Sequence, residues 1–303
     1  MAIELVPDLT KFPQFCGACR EEKLIVFVGA GVSALWGCKR WKDMGVALID
    51  SCYNLGFIDY WERETLANKY SSSPRRLITI AKSILGRYYT QELQKTIEPN
   101  RKDKLPNLFK NLYELNAIYV TTNIDKHFSG LFEKACIHFD PNKYVPSILK
   151  PKNIIHLHGV IDNEDSLVLT IDEYVGRYRD NDRHKQLLER IFLGDDQYCV
   201  LFVGYGADEM EIIDYMIEKY GSKLQRFINR LYILLPFFQN EEQLLRYEKM
   251  YFSQVNLEVI PYNINASGYD QLNEVIETWQ KGFSDFALGK GFYQYNQLIE
   301  RNL

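Results

Sequence analysis

Four short stretches place ligand-type residues directly behind apolar runs. In Ile154-Ile155-His156-Leu157-His158-Gly159, only His158 lies at the end of the run, beside glycine. An imidazole there titrates near neutrality and can act as a general base. Alternation along a strand puts His156 on the same face, inside the run, where it is read as a satisfied core histidine. In Val120-Thr121-Thr122-Asn123-Ile124-Asp125, Asn123 and Asp125 can hydrogen-bond an amide and a ribose, and Asn123 can hold a water. The same pattern also suits an Asx turn that caps the next helix.

The other two stretches are glycine turns. Leu24-Ile25-Val26-Phe27-Val28 runs straight into Gly29-Ala30-Gly31-Val32-Ser33. Glycines there let backbone N–H groups approach a pyrophosphate, and the following helix N-terminus favours negative charge. Val203-Gly204-Tyr205-Gly206-Ala207-Asp208 repeats the arrangement and offers further donors to phosphate or ribose. A tight turn without a ligand would use the same glycines in either place. Each stretch is weak alone; four in one chain argue for a shared crevice.

The elements that must position them are short and nearly continuous in hydrophobicity. Strands are predicted at 24–28, 117–120, 153–157, 198–203, 230–235 and 257–260. Continuous rather than alternating runs indicate strands buried on both faces, as in a parallel sheet covered by helices. Helical spacing recurs between them. Met44, Ala47, Leu48 and Cys52 share one face of a helix over 41–53, and Met210, Ile213, Met216 and Ile217 share one over 209–219. Strand and helix in alternation predict a doubly wound, Rossmann-like α/β fold with a mostly parallel sheet. Residues 57–115 and 172–193 hold no convincing strand and are expected as helical inserts that pack together beside the sheet. The stretch 269–303 reads as helical up to a break near Gly289 and Gly291, and its end at Asn302-Leu303 is consistent with continuation into a longer protein.

The bulk composition fits a globular protein. The 303 residues are 46% hydrophobic and 25% charged, enough for a large core. A net charge of -4 argues against sequence-independent nucleic-acid binding. The basic clusters Lys39-Arg40-Trp41-Lys42 and Arg101-Lys102-Asp103-Lys104 read as solvated surface, with one of them available to a cofactor phosphate. No apolar window reaches membrane-spanning length, and Met1 to Thr10 does not read as a secretory signal. The six cysteines are sparse and irregular, as in a reducing compartment, so a cytoplasmic location is expected.

Taken in order, these segments resemble the sirtuin family. Gly29-Ala30-Gly31-Val32-Ser33 resembles its phosphate-binding turn, and Thr121-Thr122-Asn123-Ile124-Asp125 is similar to its Thr-Gln-Asn-Ile-Asp segment. His158-Gly159 resembles its catalytic His-Gly pair, and Gly204-Tyr205-Gly206 stands where the family places a Gly-Thr-Ser ribose loop. The resemblance covers about 24–260 and implies a sirtuin-like NAD-binding domain over 21–268, a lead segment 1–20 and a helical tail 269–303.

The departures bear on function. Sirtuin deacylases carry two cysteine pairs for structural zinc after the catalytic histidine, whereas only Cys199 follows His158 here, inside a predicted strand. Cys16-Gly17-Ala18-Cys19 has pair spacing but stands alone, so no zinc module and no metal are expected. The family's Pro-Asp-Phe-Arg stretch is replaced by Gly37-Cys38-Lys39-Arg40-Trp41, and Thr122 replaces the Gln. This combination looks like the zinc-less, NAD-hydrolysing branch found in bacterial anti-phage defence proteins. It implies NAD+ as substrate, depletion of cellular NAD, control by homo-oligomerisation, and a sensing or regulatory domain or partner.

The roles follow from the resemblance together with the chemistry. Gly29, Ala30, Gly31 and Ser33 would hold the pyrophosphate. Asp125 with Ile124 would fix the nicotinamide carboxamide, and Asn123 would orient water or a ribose hydroxyl. His158 would accept a proton, and Gly204, Tyr205 and Gly206 would line the ribose side. Three rivals stand beside this reading. A non-catalytic NAD or ADP-ribose sensor would bind without releasing nicotinamide. An NAD-dependent protein deacylase would release O-acyl-ADP-ribose. A redox Rossmann enzyme needs an acid about 20 residues past the turn, at the next strand's end; Asp50 has the distance but lies in a helical segment.

Overall fold

The computed structural model describes residues 3–100, 107–194, 196–206, 211–220 and 231–287. Seven strands, β1 (Leu24–Val28), β2 (Ile118–Thr121), β3 (Ile137–His138), β4 (Ile154–His156), β5 (Cys199–Val203), β6 (Leu231–Phe237) and β7 (Leu257–Asn263), form one sheet. Their order is β3-β4-β2-β1-β5-β6-β7 and every pair is parallel. The doubly wound α/β architecture is as the apolar runs predict. From β1 the chain winds out to one side through β2, then crosses back past β1 to lay down β5, β6 and β7. The switch falls between β1 and β5, where open α/β sheets take their ligands. The two-residue β3 was not among the predicted strands: it is too short to carry a period and pairs only at the sheet's edge.

The helices are α1 (Pro13–Arg20), α2 (Ala30–Ala34), α3 (Trp41–Asn54), α4 (Tyr60–Lys69), α5 (Pro74–Leu85), α6 (Tyr89–Ile97), α7 (Asn107–Glu114), α8 (Ile171–Val175), α9 (Asp182–Leu193), α10 (Glu211–Tyr220), α11 (Glu242–Ser253) and α12 (Gln271–Ala287). No helix among the described residues is long and apolar enough to cross a membrane. β1 and β5 are buried at every position, because alternate residues serve two cores. Ile25, Phe27, Val200 and Phe202 face a core that includes Leu187, Leu188, Ile191 and Phe192 of α9. Leu24, Val26, Val28 and Leu201 face the other, with Phe15 of α1, Leu108, Phe109 and Leu112 of α7, and Val275, Ile276 and Trp279 of α12. Segments 3–20 and 269–287 therefore close on each other over the sheet: Phe15 meets the Trp279 ring at 5.5 Å, and Trp279 Nε1 donates to the Pro7 carbonyl at 2.8 Å. The expected break near Gly289 and Gly291, the Arg101-Lys104 cluster, Asp208 and Met210 lie outside the described residues, as do the side chains of Ile213 and Met216.

A third core joins α3, α5 and α6 to Ile124, Ile161, Leu167 and Leu169, which follow the ends of β2 and β4. This helical layer therefore stands over the carboxyl edge of the sheet. The two inserts were expected to pack against each other, and they meet only in part. Lys82 of α5 pairs with Glu173 of α8 at 2.6 Å, and the Arg75 guanidinium lies 3.8 Å over the Tyr174 ring. The rest of the second insert, α9, covers the sheet, because Leu187, Leu188, Ile191 and Phe192 give it an apolar stripe of its own. Likewise α7 turns its stripe to the sheet rather than to the helical layer.

Trp279 fills the space between α1, the segment at Pro7 and a sheet face. Trp279→Ala is expected to cost about 3–5 kcal/mol in urea unfolding. A loss below about 1 kcal/mol, the range of a surface change, would contradict this packing.

Candidate active site

The close approach of β1 and β5 comes first. Gly29 N–H donates to the Val203 carbonyl at 2.9 Å, and Gly31 N–H donates to the Gly204 carbonyl at 2.8 Å. A Cβ on Gly31 would sit 2.5 Å from that carbonyl oxygen. Gly204 has φ +70, and a Cβ on it would lie 2.7 Å from Val32 N. The glycines thus lock two strand ends together. Of the four residues expected to hold a pyrophosphate, Gly29 and Gly31 have N–H groups with carbonyl partners in this structure.

The end of β2 is tied to the end of β1 by side chains. Thr121 Oγ1 donates to the Val28 carbonyl at 2.6 Å and accepts from Asn123 N–H at 3.0 Å. Asn123 Nδ2 donates to the Gly29 carbonyl at 3.1 Å and to Ser33 Oγ at 3.2 Å. Ser33 Oγ in turn donates to Asp125 Oδ2 at 3.0 Å, while Asp125 Oδ1 accepts from His127 N–H at 3.1 Å. Both amide hydrogens of Asn123 are therefore directed into the protein, which leaves Oδ1 as an acceptor. Local Asx and threonine bonds shape this loop, as the sequence pattern allows, but they hold it in the crevice rather than start a helix.

His158 stands at the end of β4 with 2% of its surface exposed. Its Nε2 is hydrogen-bonded to the Tyr178 hydroxyl at 2.9 Å. Burial first, then the Arg177 and Arg75 charges, pushes the imidazole down to about 3. It is neutral at physiological pH and accepts hydrogen bonds, but it is a much weaker base than the sequence suggests. Gly159 has φ +77, and a Cβ there would collide with the Ser166 backbone, so the turn after His158 requires glycine.

Ser33, Asn123, Asp125 and His158 line one narrow cavity of about 70 Å³, with Ala30, Thr122 and Ile124. Ile124 also belongs to the core of the helical layer, and its carbonyl accepts from Ile161 N–H at 3.0 Å. Gly31, Gly204, Tyr205 and Gly206 line a second cavity of about 810 Å³, which runs over the ends of β5 and β6 toward α11. Gly29 lines neither cavity and serves the junction.

Several contributors were given no role in the site from sequence, apart from the Lys39-Arg40-Trp41-Lys42 run, which was read as surface with a possible cofactor-phosphate contact. Lys39, Cys38, Trp41, Met44 and Ile97 complete the narrow cavity. The Cys38 thiol is pushed up to about 12 by burial and by the nearby Asp125 carboxylate, so it stays protonated. His156, read as a satisfied core residue, has a positioning contact: its Nδ1 donates to the Asn123 carbonyl at 2.9 Å, and its own carbonyl accepts from the Tyr144 hydroxyl at 2.9 Å. Arg177 is 7% exposed and donates to the Leu157 carbonyl at 2.7 Å and the Ser166 carbonyl at 2.9 Å. It therefore braces the chain on both sides of His158-Gly159. Arg177 and Tyr178 come from a π-helical turn, Gly176–Asp180, a geometry frequent at functional sites. The hint available in the sequence was Arg177 and Arg179, close together in an otherwise amphipathic insert.

Asp50 lies within α3, not at the end of a strand, and pairs with Arg63 Nε at 2.7 Å, so it does not complete a redox dinucleotide fingerprint. Cys16 and Cys19 sit in α1 with sulfurs bonded to the Leu9 and Leu115 carbonyls, and burial pushes their thiols up to about 11 and about 12.

Residues 117–260 match the SIR2-like domain family, a span that takes in Asn123, Asp125, His158 and Gly204 but not the Gly29-Ser33 turn. The chain is also similar to a protein named NAD(+) hydrolase ThsA from Cytobacillus dafuensis, at 24% identity over 315 residues. That alignment takes in 94% of this chain and 59% of the relative, so the chain spans less than two thirds of the relative's length.

The buried imidazoles contribute to the acid sensitivity of the fold. His156, His158 and His184 are all held below the ordinary histidine value of 6.5, chiefly by burial. In each case the unfolded chain takes up a proton that the folded chain refuses. Their contribution is complete above pH 6.5 and is lost as pH falls below it. Each such proton steepens the fall by up to about 1.4 kcal/mol per pH unit. Thermal unfolding from about pH 7.5 to about pH 5 should show Tm dropping steeply below 6.5; a flat Tm would mean that the rings protonate in place.

Proposed function

We propose that this chain, which carries a SIR2-like domain over residues 117–260, is an NAD+ hydrolase that cleaves the nicotinamide–ribose bond. The observation that supports the reading best is the convergence of Asn123, Ser33, Asp125 and His158 on one narrow cavity at the carboxyl edge of the sheet. The wide second cavity adjoins it and has room for the adenosine half of a dinucleotide.

In this reading the nicotinamide lies in the narrow cavity, its carboxamide against the Asp125 carboxylate and the Ile124 backbone. The C1′–N bond breaks with its electron pair leaving on nicotinamide, which departs neutral and needs no acid. The ribose is left as an oxocarbenium ion. Water adds to C1′ and loses a proton, giving nicotinamide, ADP-ribose and H+. Asn123 Oδ1 accepts a hydrogen bond from that water or from a ribose hydroxyl. A neutral His158 orients the same oxygen without taking a permanent proton. The cation reacts so readily with water that positioning outweighs base strength. A bound cation would itself keep His158 unprotonated, because like charges repel.

Homo-oligomerisation, a sensing domain or partner, a cytoplasmic site of action and depletion of NAD in anti-phage defence complete the proposal, on the strength of the resemblance to defence NADases.

The test is release of nicotinamide and ADP-ribose from NAD+ by the purified protein at several concentrations. Asn123→Ala and His158→Ala are expected to lower turnover about 100- to 1,000-fold with an unchanged fold by circular dichroism. Normal turnover in both variants would overturn the assignment. Saturable NAD+ binding without nicotinamide release at any protein concentration would favour a sensor, and O-acyl-ADP-ribose from an acylated peptide would favour a deacylase.

A further inference from the structure

His158 commits one ring nitrogen to the protein and keeps the other. Nε2 is hydrogen-bonded to the Tyr178 hydroxyl at 2.9 Å, and Nδ1 has no partner among the described residues. The imidazole lines the narrow cavity, whereas Tyr178 does not. A neutral imidazole carries one N–H and one lone pair, and the bond made by one nitrogen decides which of them the other presents. A water or ribose hydroxyl that donates to His158 needs the lone pair on Nδ1. We propose that Tyr178 is a positioning residue: its oxygen accepts the Nε2 proton and so holds His158 in the tautomer whose Nδ1 accepts a hydrogen bond from that water or hydroxyl. The proposal rests on the NAD+ reading and adds to it the group that sets the polarity of the histidine.

The Tyr178 ring is gripped on its face and on its edges. Tyr174 of α8 stacks on it at 4.3 Å and 23°, and the Tyr174 ring in turn carries the Arg75 guanidinium of α5 at 3.8 Å. Tyr215 of α10 meets it edge-on at 5.2 Å. The helix that leads into it is pinned as well. Glu173 accepts from Leu169 N–H at 2.7 Å and Thr170 N–H at 2.8 Å, and pairs with Lys82 of α5. His184 of α9 lies against the same ring at 4.6 Å, yet both of its ring nitrogens lack a hydrogen-bond partner. Of the two imidazoles beside it, the Tyr178 hydroxyl therefore serves His158. Packing alone does not ask for that hydroxyl. Tyr178 is 2% exposed in an apolar core with Leu187 and Leu188, where a phenylalanine ring would pack as well. A hydroxyl buried in such a place is costly unless it is bonded. The bond to His158 meets that requirement and at the same time selects the tautomer.

The test reads tautomer and rate together. Proton–nitrogen correlation NMR of histidine-labelled protein near neutral pH, with His158 assigned by comparison with His158→Gln, should show Nε2 protonated and Nδ1 bare. Tyr178→Phe keeps the ring and its stack but strands an Nε2–H in the core. It should move the proton to Nδ1 and lower kcat for nicotinamide release about 10- to 100-fold, with little change in KM for NAD+. A proton on Nδ1 in wild type would overturn the proposal, whether or not the variant folds. So would a change in kcat without a change of tautomer, a change of tautomer without a change in kcat, or an effect confined to KM. Failure of the NAD+ reading is a separate outcome. A wild type that releases no nicotinamide, but whose His158 tautomer inverts in Tyr178→Phe, keeps the tyrosine's hold on the ring and loses the hydrolase.

Discussion

The contact on which the site depends is the one between two glycines. Gly31 donates its N–H to the Gly204 carbonyl with no space for a side chain on either partner. That closeness is what a doubly wound sheet needs at its switch point, where the chain leaves β1 in one direction and later returns beside it as β5. It also fixes the Gly29 carbonyl, which receives the Asn123 amide. The loop after β2 is thereby drawn over the end of β1, and Ser33 and Asp125 follow through their shared hydrogen bonds. The glycine turn thereby forms the fixed edge of the crevice.

A second constraint operates on the far side of the cavity. His158 is buried among Tyr178, Arg177 and the helical layer, and the same burial that seats it removes most of its basicity. Arg177 is tied to carbonyls on both sides of the histidine, so its charge and its bracing arrive together. A reaction that needs a strong base would be badly served. A reaction whose leaving group is already cationic, and whose intermediate captures water without help, is compatible with a neutral ring. Electrostatics and proposed chemistry are consistent on this point.

Much of the fold was legible because it is built from buried parallel strands. Runs such as Leu24–Val28 and Cys199–Val203 are apolar at every position, and nothing else about five residues needs to be known. The two residues of β3 carry no such pattern. The helical stripes on α7 and α9 were visible, but stripes do not say which surface they meet, and both turned to the sheet. Asn123, Asp125, Ser33 and His158 share a cavity because each follows or borders a strand end, a position that sequence does mark. What could not be read is how their bonding capacity is already used. Whether Gly31 N–H is free depends on Gly204, far away in the chain; whether His158 is basic depends on Arg177 and Arg75, from two separate inserts. The Lys39-Arg40-Trp41-Lys42 run was read as solvated surface or a cofactor-phosphate contact, and sequence did not say which, because its two neighbouring cavities exist only in the folded chain.

The central claim is that bond cleavage proceeds beside a histidine that stays neutral. The most direct measurement is the pH dependence of nicotinamide release under saturating NAD+, from about pH 5 to about pH 8, corrected for the fraction of folded protein. The account predicts a rate that is flat across the ordinary histidine value of 6.5, because His158 titrates far below it. An acid limb centred near 6.5 that disappears in His158→Gln would contradict it and restore the ring as a titrating general base.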